Sequence, residues 1–156
     1  MLQHPVTINY KDYTITTDKT MLQPERIHRW LSEQSYWSRN IPFELVQRAF
    51  DHSFCMGVLK SRVQVGYARL ITDYASFAYL ADVYVEEAHR GQGLSKRMMD
   101  LLMDIDWVKG LRRIMLATLD AHELYERYGF VQPAFPERFM EISRPAIYGD
   151  HKNLCQ

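Results

Sequence analysis

Leu80-Ala81-Asp82-Val83-Tyr84-Val85-Glu86-Glu87-Ala88-His89-Arg90-Gly91-Gln92-Gly93-Leu94-Ser95, continuing from Lys96 to Met103, reads as three pieces joined end to end. The first is a strand, with Tyr79, Ala81, Val83 and Val85 on one parity and Leu80, Asp82 and Tyr84 on the other. A polar turn holding two glycines follows. Leu94, Met98, Leu101, Leu102 and Ile105 then recur at the spacing of one buried helical face.

A strand that feeds a glycine turn into a helix start makes a site for an anion. The first N–H groups of a helix lack partners within it, and its dipole places partial positive charge there. Gly91 and Gly93 allow backbone to approach a bulky ligand and to adopt positive φ. Arg90 adds a planar, permanently charged fork suited to phosphate oxygens. An ordinary strand–turn–helix joint also uses glycines, but the arginine and the long amphipathic helix favour the anion site.

These residues resemble a known family. Arg90-Gly91-Gln92-Gly93-Leu94-Ser95 is similar to the coenzyme A pyrophosphate loop of the GNAT superfamily, whose pattern is Arg/Gln-x-x-Gly-x-Gly/Ala. Ser95 stands where Gly or Ala is usual, and Glu87 where many members have proline. The resemblance implies an α+β fold, with a mixed, mostly antiparallel sheet of six or seven strands and about four flanking helices. It implies acetyl-CoA as co-substrate, with the pyrophosphate on the Gly91–Ser95 amides and Arg90. The pantetheine arm would lie along the backbone of Val83 and Val85. Thr118 takes the place of the asparagine that often contacts that arm, and Ala121 that of the alanine that commonly follows it.

Leu124-Tyr125-Glu126-Arg127-Tyr128-Gly129-Phe130 resembles the family's Leu-Tyr-x-x-x-Gly-Phe signature. That places Tyr125 where a tyrosine often acts as general acid, supplying a proton to the departing thiolate. A tyrosine merely packing a helix on the sheet is the competing reading. Asp82, a carboxylate within an apolar strand, is the first candidate for general base, ahead of Glu33 and Glu123; pairing with Arg69 would explain it equally. Tyr36, Trp37, Arg39 and Phe77 fall in or beside expected loops and are candidates for an aromatic acceptor pocket.

Composition narrows the class. The 156 residues, enough for one domain spanning 1–156, carry 19 Lys and Arg against 19 Asp and Glu, so the formal charge is zero. That argues against a nucleic-acid partner. No apolar run approaches the ~20 residues of a membrane span, and the first thirty residues lack a signal-peptide pattern. Both features point to a cytoplasmic protein without a membrane partner. The two cysteines, Cys55 and Cys155, make no framework, and no two histidines stand at i+3 or i+4, so no metal site is expected. The resemblance implies acetyl transfer to the amine of a small molecule, and with neither cysteine in a motif, direct transfer in a ternary complex is expected over a covalent acetyl-enzyme. A coenzyme-binding module without catalysis is the alternative. A homodimer is compatible with the family.

Along the rest of the chain, strands are expected at Tyr13–Thr17, Phe54–Leu59, Val63–Ile71 and Arg113–Thr118. Helices are expected around Ile27–Leu31, from Phe43 to Phe50, from Leu94 through to Gly110, and over Ala121–Tyr128. Phe130 would begin a further strand, and Phe139–Ile142 a last one. Residues 1–9 and 145–156 read as loose ends.

Overall fold

The computed structural model describes residues 4–149. Six strands form one sheet in the order in which they occur: β1 (Thr7–Tyr10), β2 (Tyr13–Thr16), β3 (Phe54–Lys60), β4 (Val63–Thr72), β5 (Phe77–Val85) and β6 (Arg113–Leu116). Every neighbouring pair is antiparallel except β5 and β6, which run parallel. Five helices flank the sheet: α1 (Pro24–Glu33), α2 (Phe43–Asp51), α3 (Leu94–Asp104), α4 (Asp106–Lys109) and α5 (His122–Glu126). This is the mixed α+β architecture expected from the resemblance.

Each face of the sheet carries its own apolar cluster. Met56, Val58, Ala68, Leu70, Ala78, Leu80 and Val85 pack under Leu94, Met98, Met99 and Leu102 of α3. Cys55, Leu59, Tyr67 and Tyr84 pack instead under Ile27 and Leu31 of α1 and Val46 and Phe50 of α2. Alternate residues of β3 and β4 supply the two layers, as strand geometry requires.

Four expectations are corrected. Residues 7–9 are not a loose arm: Thr7–Tyr10 pair with Tyr13–Thr16, and the Thr7 and Thr16 hydroxyls lie 2.7 Å apart. The helix from Leu94 does not run on to Gly110. It stops at Asp104, because Ile105 is extended (φ −68°, ψ 129°), and α4 begins afresh. Ile105 is still buried, so the apolar spacing is satisfied although the helix is not continuous. Phe130 begins no strand, since its N–H turns back to the Tyr125 carbonyl at 3.3 Å. Phe139–Ile142 forms no strand either. Pro136 opens a short 3-10 turn whose carbonyl takes the Phe139 N–H at 3.1 Å.

The most consequential departure lies inside β5. Tyr67 faces Tyr84 and Arg69 faces Ala81, so Ala68 alone opposes both Asp82 and Val83. This is a β-bulge, and Asp82 sits in it with φ of 53°. The extra residue shifts the parity. Leu80 joins Val83 and Val85 on the α3 face, whereas Asp82 and Tyr84 face α1 and α2.

Candidate active site

β5 and β6 part company at one end. Their pairing ends at Leu80 and Leu116, leaving Ala81–Val85 with no β6 neighbour. Apart from the Val85 carbonyl, which Arg90 holds, the backbone groups of that stretch that face away from β4 are open to a ligand rich in amides. A cavity of about 460 Å³ occupies the gap. Tyr36, Trp37, Asp82, Val83, Thr118 and Tyr125 are among the side chains that line it.

Four of the residues singled out in the sequence for chemistry or acceptor binding meet there. Tyr125 reaches it from α5 and is buried, its ring edge-on to Phe130 at 5.9 Å. Burial, and secondarily the charge of Asp120, push its phenol up to about 12, so it remains protonated at neutral pH. Asp82, from the bulge of β5, lines it as well. One of its oxygens accepts the Trp37 indole N–H at 2.8 Å and the other accepts Arg69 Nε, while Arg69 also donates to Ser53 Oγ at 3.1 Å. A carboxylate so held is a structural anion first. Tyr36 and Trp37 stack edge to face at 4.9 Å.

Arg39 and Phe77 lie elsewhere. Arg39 turns back to the Glu33 carbonyl at 3.1 Å, and Phe77 pairs with Arg113 at the other end of β5. Neither lines the cavity, because residues in adjoining loops need not share a wall. Thr118 lines it, but its hydroxyl already accepts the Ala121 N–H at 3.0 Å, an arrangement that closes the turn into α5.

The glycine turn has the features of an anion site. Gly91 and Gly93 both have positive φ, 75° and 80°. Among the described residues, the amides of Gly91 through Lys96 donate to no protein acceptor, and the first helical bond runs from Arg97 N to Gly93 O at 3.0 Å. A Cβ on Gly93 would lie 3.0 Å from Tyr10 Oη, whereas one on Gly91 would meet nothing within 4 Å. Leu94 buries its side chain in the core and Ser95 is half-buried, so both present backbone to the turn. Arg90 Nε donates to the Val85 carbonyl at 3.0 Å, which ties the guanidinium to the end of β5.

Sequence reasoning missed what holds this turn. Tyr10 Oη donates to the Gln92 carbonyl at 3.0 Å, and Lys11 Nζ reaches the same oxygen at 3.2 Å. Tyr13 Oη lies 3.0 Å from His89 Nδ1, and Arg26 pairs with Glu86 at 2.7 Å just before the turn. Tyr128 was missed too. Its hydroxyl lies 2.7 Å from Asp100 and 2.9 Å from the Lys96 carbonyl, joining the Tyr125 segment to α3. These contacts link parts of the chain far apart in sequence, so no local pattern announces them.

Residues 25–130 match the family described as the Acetyltransferase (GNAT) family. The chain belongs to the GNAT family. A "putative acetyltransferase" of Gibberella zeae is 31% identical over 134 residues, covering 73% of this chain and 76% of that protein. A crystal structure of a "putative acetyltransferase belonging to the gnat family" from Xanthomonas campestris is 48% identical, with a TM-score of 0.87. It covers 91% of this chain and all of that one. The glucosamine-6-phosphate N-acetyltransferase of Arabidopsis thaliana, at 15% identity and a TM-score of 0.53 over 91% of this chain and 98% of its own, shares the fold. In this GNAT chain, no helix among the described residues is long and apolar enough to cross a membrane.

Proposed function

We propose that the protein is an acetyl-CoA-dependent N-acetyltransferase that moves an acetyl group directly onto the amine of a small molecule. The observation that carries this is a cavity between the parted ends of β5 and β6 that both Tyr125 and Asp82 line. It lies on the strand that leads directly into the glycine turn.

The residues fit the cofactor's parts. Unengaged amides from Gly91 to Lys96 would hold the diphosphate, aided by Arg90 and Lys11. The open backbone of Ala81–Val85 would accept the amides of the pantetheine arm. When bound, acetyl-CoA supplies the activated acyl group.

Tyr125 would act on the sulfur leaving group. Its phenol, near 12, is a weaker acid than a thiol with its ordinary pKa of ~8.5, so complete proton transfer runs uphill. It therefore serves chiefly as a hydrogen-bond donor that stabilises the developing thiolate. The acceptor ammonium first gives up one proton to solvent; the neutral amine then attacks, and the second proton it sheds as the C–S bond breaks restores the thiol. Asp82, already engaged by Arg69 and Trp37, is better suited to hold the cavity wall and favour a cationic acceptor than to strip a proton directly. Aromatic Tyr36 and Trp37 beside that carboxylate suit the face of a small alkylammonium.

An acceptor screen that measures free thiol tests the reading. Release that depends on the added amine is expected. Binding of acetyl-CoA with no release for any amine would favour the coenzyme-binding module. Heat-shift measurements separate the donor question: acetyl-CoA at a hundred times its Kd adds about 2.7 kcal/mol of stability. A shift with ATP or NAD and none with acetyl-CoA would overturn the cofactor assignment.

A further inference from the structure

A second cavity, of about 500 Å³, opens between α1, α2 and the sheet, where Leu31, Leu45, Val46, Tyr67 and Arg69 are among its walls. Asp82 is the one residue that lines both this cavity and the one that Tyr125 lines. Two neighbours in the loop after α1 divide between them, Trp37 lining the first and Ser38 the second. The two spaces therefore adjoin at the bulge of β5.

The charge of the second cavity is mostly positive. Arg48, His52 and Arg69 line it, with Asp82 as its sole carboxylate. Arg69 gives Nε to Asp82 and Nη1 to Ser53 Oγ, while Nη2 has no partner among the described residues. Nη2 is not sealed off either, since Tyr84 Oη is the only buried side-chain polar atom among them without a partner. Ser53 Oγ accepts from Arg69 and so keeps its own proton to donate. Arg48 is exposed and forms no ion pair among the described residues. His52 donates from Nδ1 to the Arg48 carbonyl at 2.9 Å, which leaves Nε2 free. Two arginines against one carboxylate leave positive charge uncompensated, and a partly enclosed space strengthens its pull on an anion.

We propose that this cavity takes a carboxylate carried by the acceptor, which makes the acceptor an amino acid with an apolar side chain. The inference rests on the neighbouring cavity being the place of transfer. The oxygens of Asp82 can take about four hydrogen bonds and accept two, so an ammonium can still sit there. The acceptor's carboxylate matches its two oxygens to Arg69 Nη2 and the Ser53 hydroxyl, with Arg48 adding charge at the mouth. Asp82 and Arg69 are bonded to each other, so groups held by them lie only a few bonds apart, as in an amino acid. Ile41, Leu45 and Val46 give the side chain an apolar wall. The transfer step is the one already given: the N–C bond forms, the C–S bond breaks, and the amine's proton goes to sulfur.

Free thiol release should be measured with leucine, valine, methionine and phenylalanine, each beside its decarboxylated amine. At least one amino acid should exceed its amine in kcat/KM by roughly tenfold or more. A carboxylate also makes the amine a weaker base, so variants must show that binding is responsible. Arg48→Ala should shrink the ratio roughly tenfold, and Arg48→Glu should reverse it in favour of the amine, both with the acetyl-CoA heat shift retained. A ratio that Arg48→Glu leaves unchanged would overturn the proposal, and so would amines that react as well as their amino acids. Either result leaves the transferase reading standing, as does release with other amines but with none of these compounds, which also refutes the proposal. Acetyl-CoA binding without release for any amine overturns both.

Discussion

Trp37 donates its indole N–H to Asp82 at 2.8 Å, across 45 positions of sequence, and so fastens the loop after α1 to the bulge of β5. The other Asp82 oxygen is held by Arg69, and the two charged side chains retain only 8% and 15% of their exposure. Removing the Asp82 charge leaves Arg69 without its anion. Asp82→Asn should lower stability by about 2–3 kcal/mol, somewhat below a fully buried pair because Arg69 keeps some solvent. Asparagine tolerates positive φ, so the change reports on charge rather than backbone strain. Denaturant melts of Asp82→Asn, Arg69→Met and the double variant should show coupling; simple additivity would mean the pair contributes nothing.

Trp37→Phe separates the indole hydrogen bond from its packing. It keeps an aromatic ring against Tyr36 and Trp30 but frees an Asp82 oxygen. Stability should fall by about 1 kcal/mol, and the acceptor KM should rise by more than kcat falls. A loss confined to kcat would indicate that the bond serves the chemical step instead.

The two glycines of the turn should respond differently. Gly91→Ala meets open space and suffers only the left-handed backbone, about 1–2 kcal/mol. Gly93→Ala suffers that and also pushes on Tyr10 Oη, which itself holds Gln92. It should be the more destabilising and should weaken acetyl-CoA binding more, as read by calorimetry. Tyr10→Phe removes the crowding atom, so combining it with Gly93→Ala should bring the stability loss back toward the Gly91→Ala value.

Tyr125→Phe should reduce turnover tenfold or more while leaving the acetyl-CoA heat shift nearly intact. The missing hydroxyl is asked to stabilise sulfur only as the bond breaks, an interaction made in the transition state and not in the ground state. Equal losses in turnover and in acetyl-CoA binding would assign the tyrosine to packing.

High pH should unfold the protein. Burial raises the phenols of Tyr67, Tyr84 and Tyr125, the last to about 12, so the fold favours their neutral forms. A raised folded-state pKa gives stability that is complete below the unfolded value of ~10 and declines as pH climbs past it. Melting temperature should hold to about pH 10 and then fall, with the part of the phenolate absorbance that belongs to the buried rings appearing in step with unfolding. Full phenolate absorbance in a protein that is still folded would contradict it.

Patterns of neighbouring residues made much of this protein legible. The turn at Gly91 and Gly93, the buried stripe of Leu94, Met98 and Leu102 and the strands of the sheet's middle all follow from spacing over a few positions, whereas the tyrosine of α5 stood out only through the resemblance of its motif. Local backbone preference and side-chain periodicity act on that same short range. The bulge at Asp82 escaped such a reading, because an added residue looks like any other until a partner strand opposes it. The same limit hid the hold of Tyr10 and Lys11 on Gln92, the reach of Tyr128 to α3 and the retreat of Phe77 from the cavity. Each depends on which distant segments the two apolar layers bring together. Strand preference likewise marked Phe139–Ile142, but only the assembled sheet, with two prolines intervening, decided that the segment pairs with no strand among the described residues. Thus short-range chemistry determined the elements and the glycine turn, while packing across the sheet decided the face of Asp82 and the walls of the cavity.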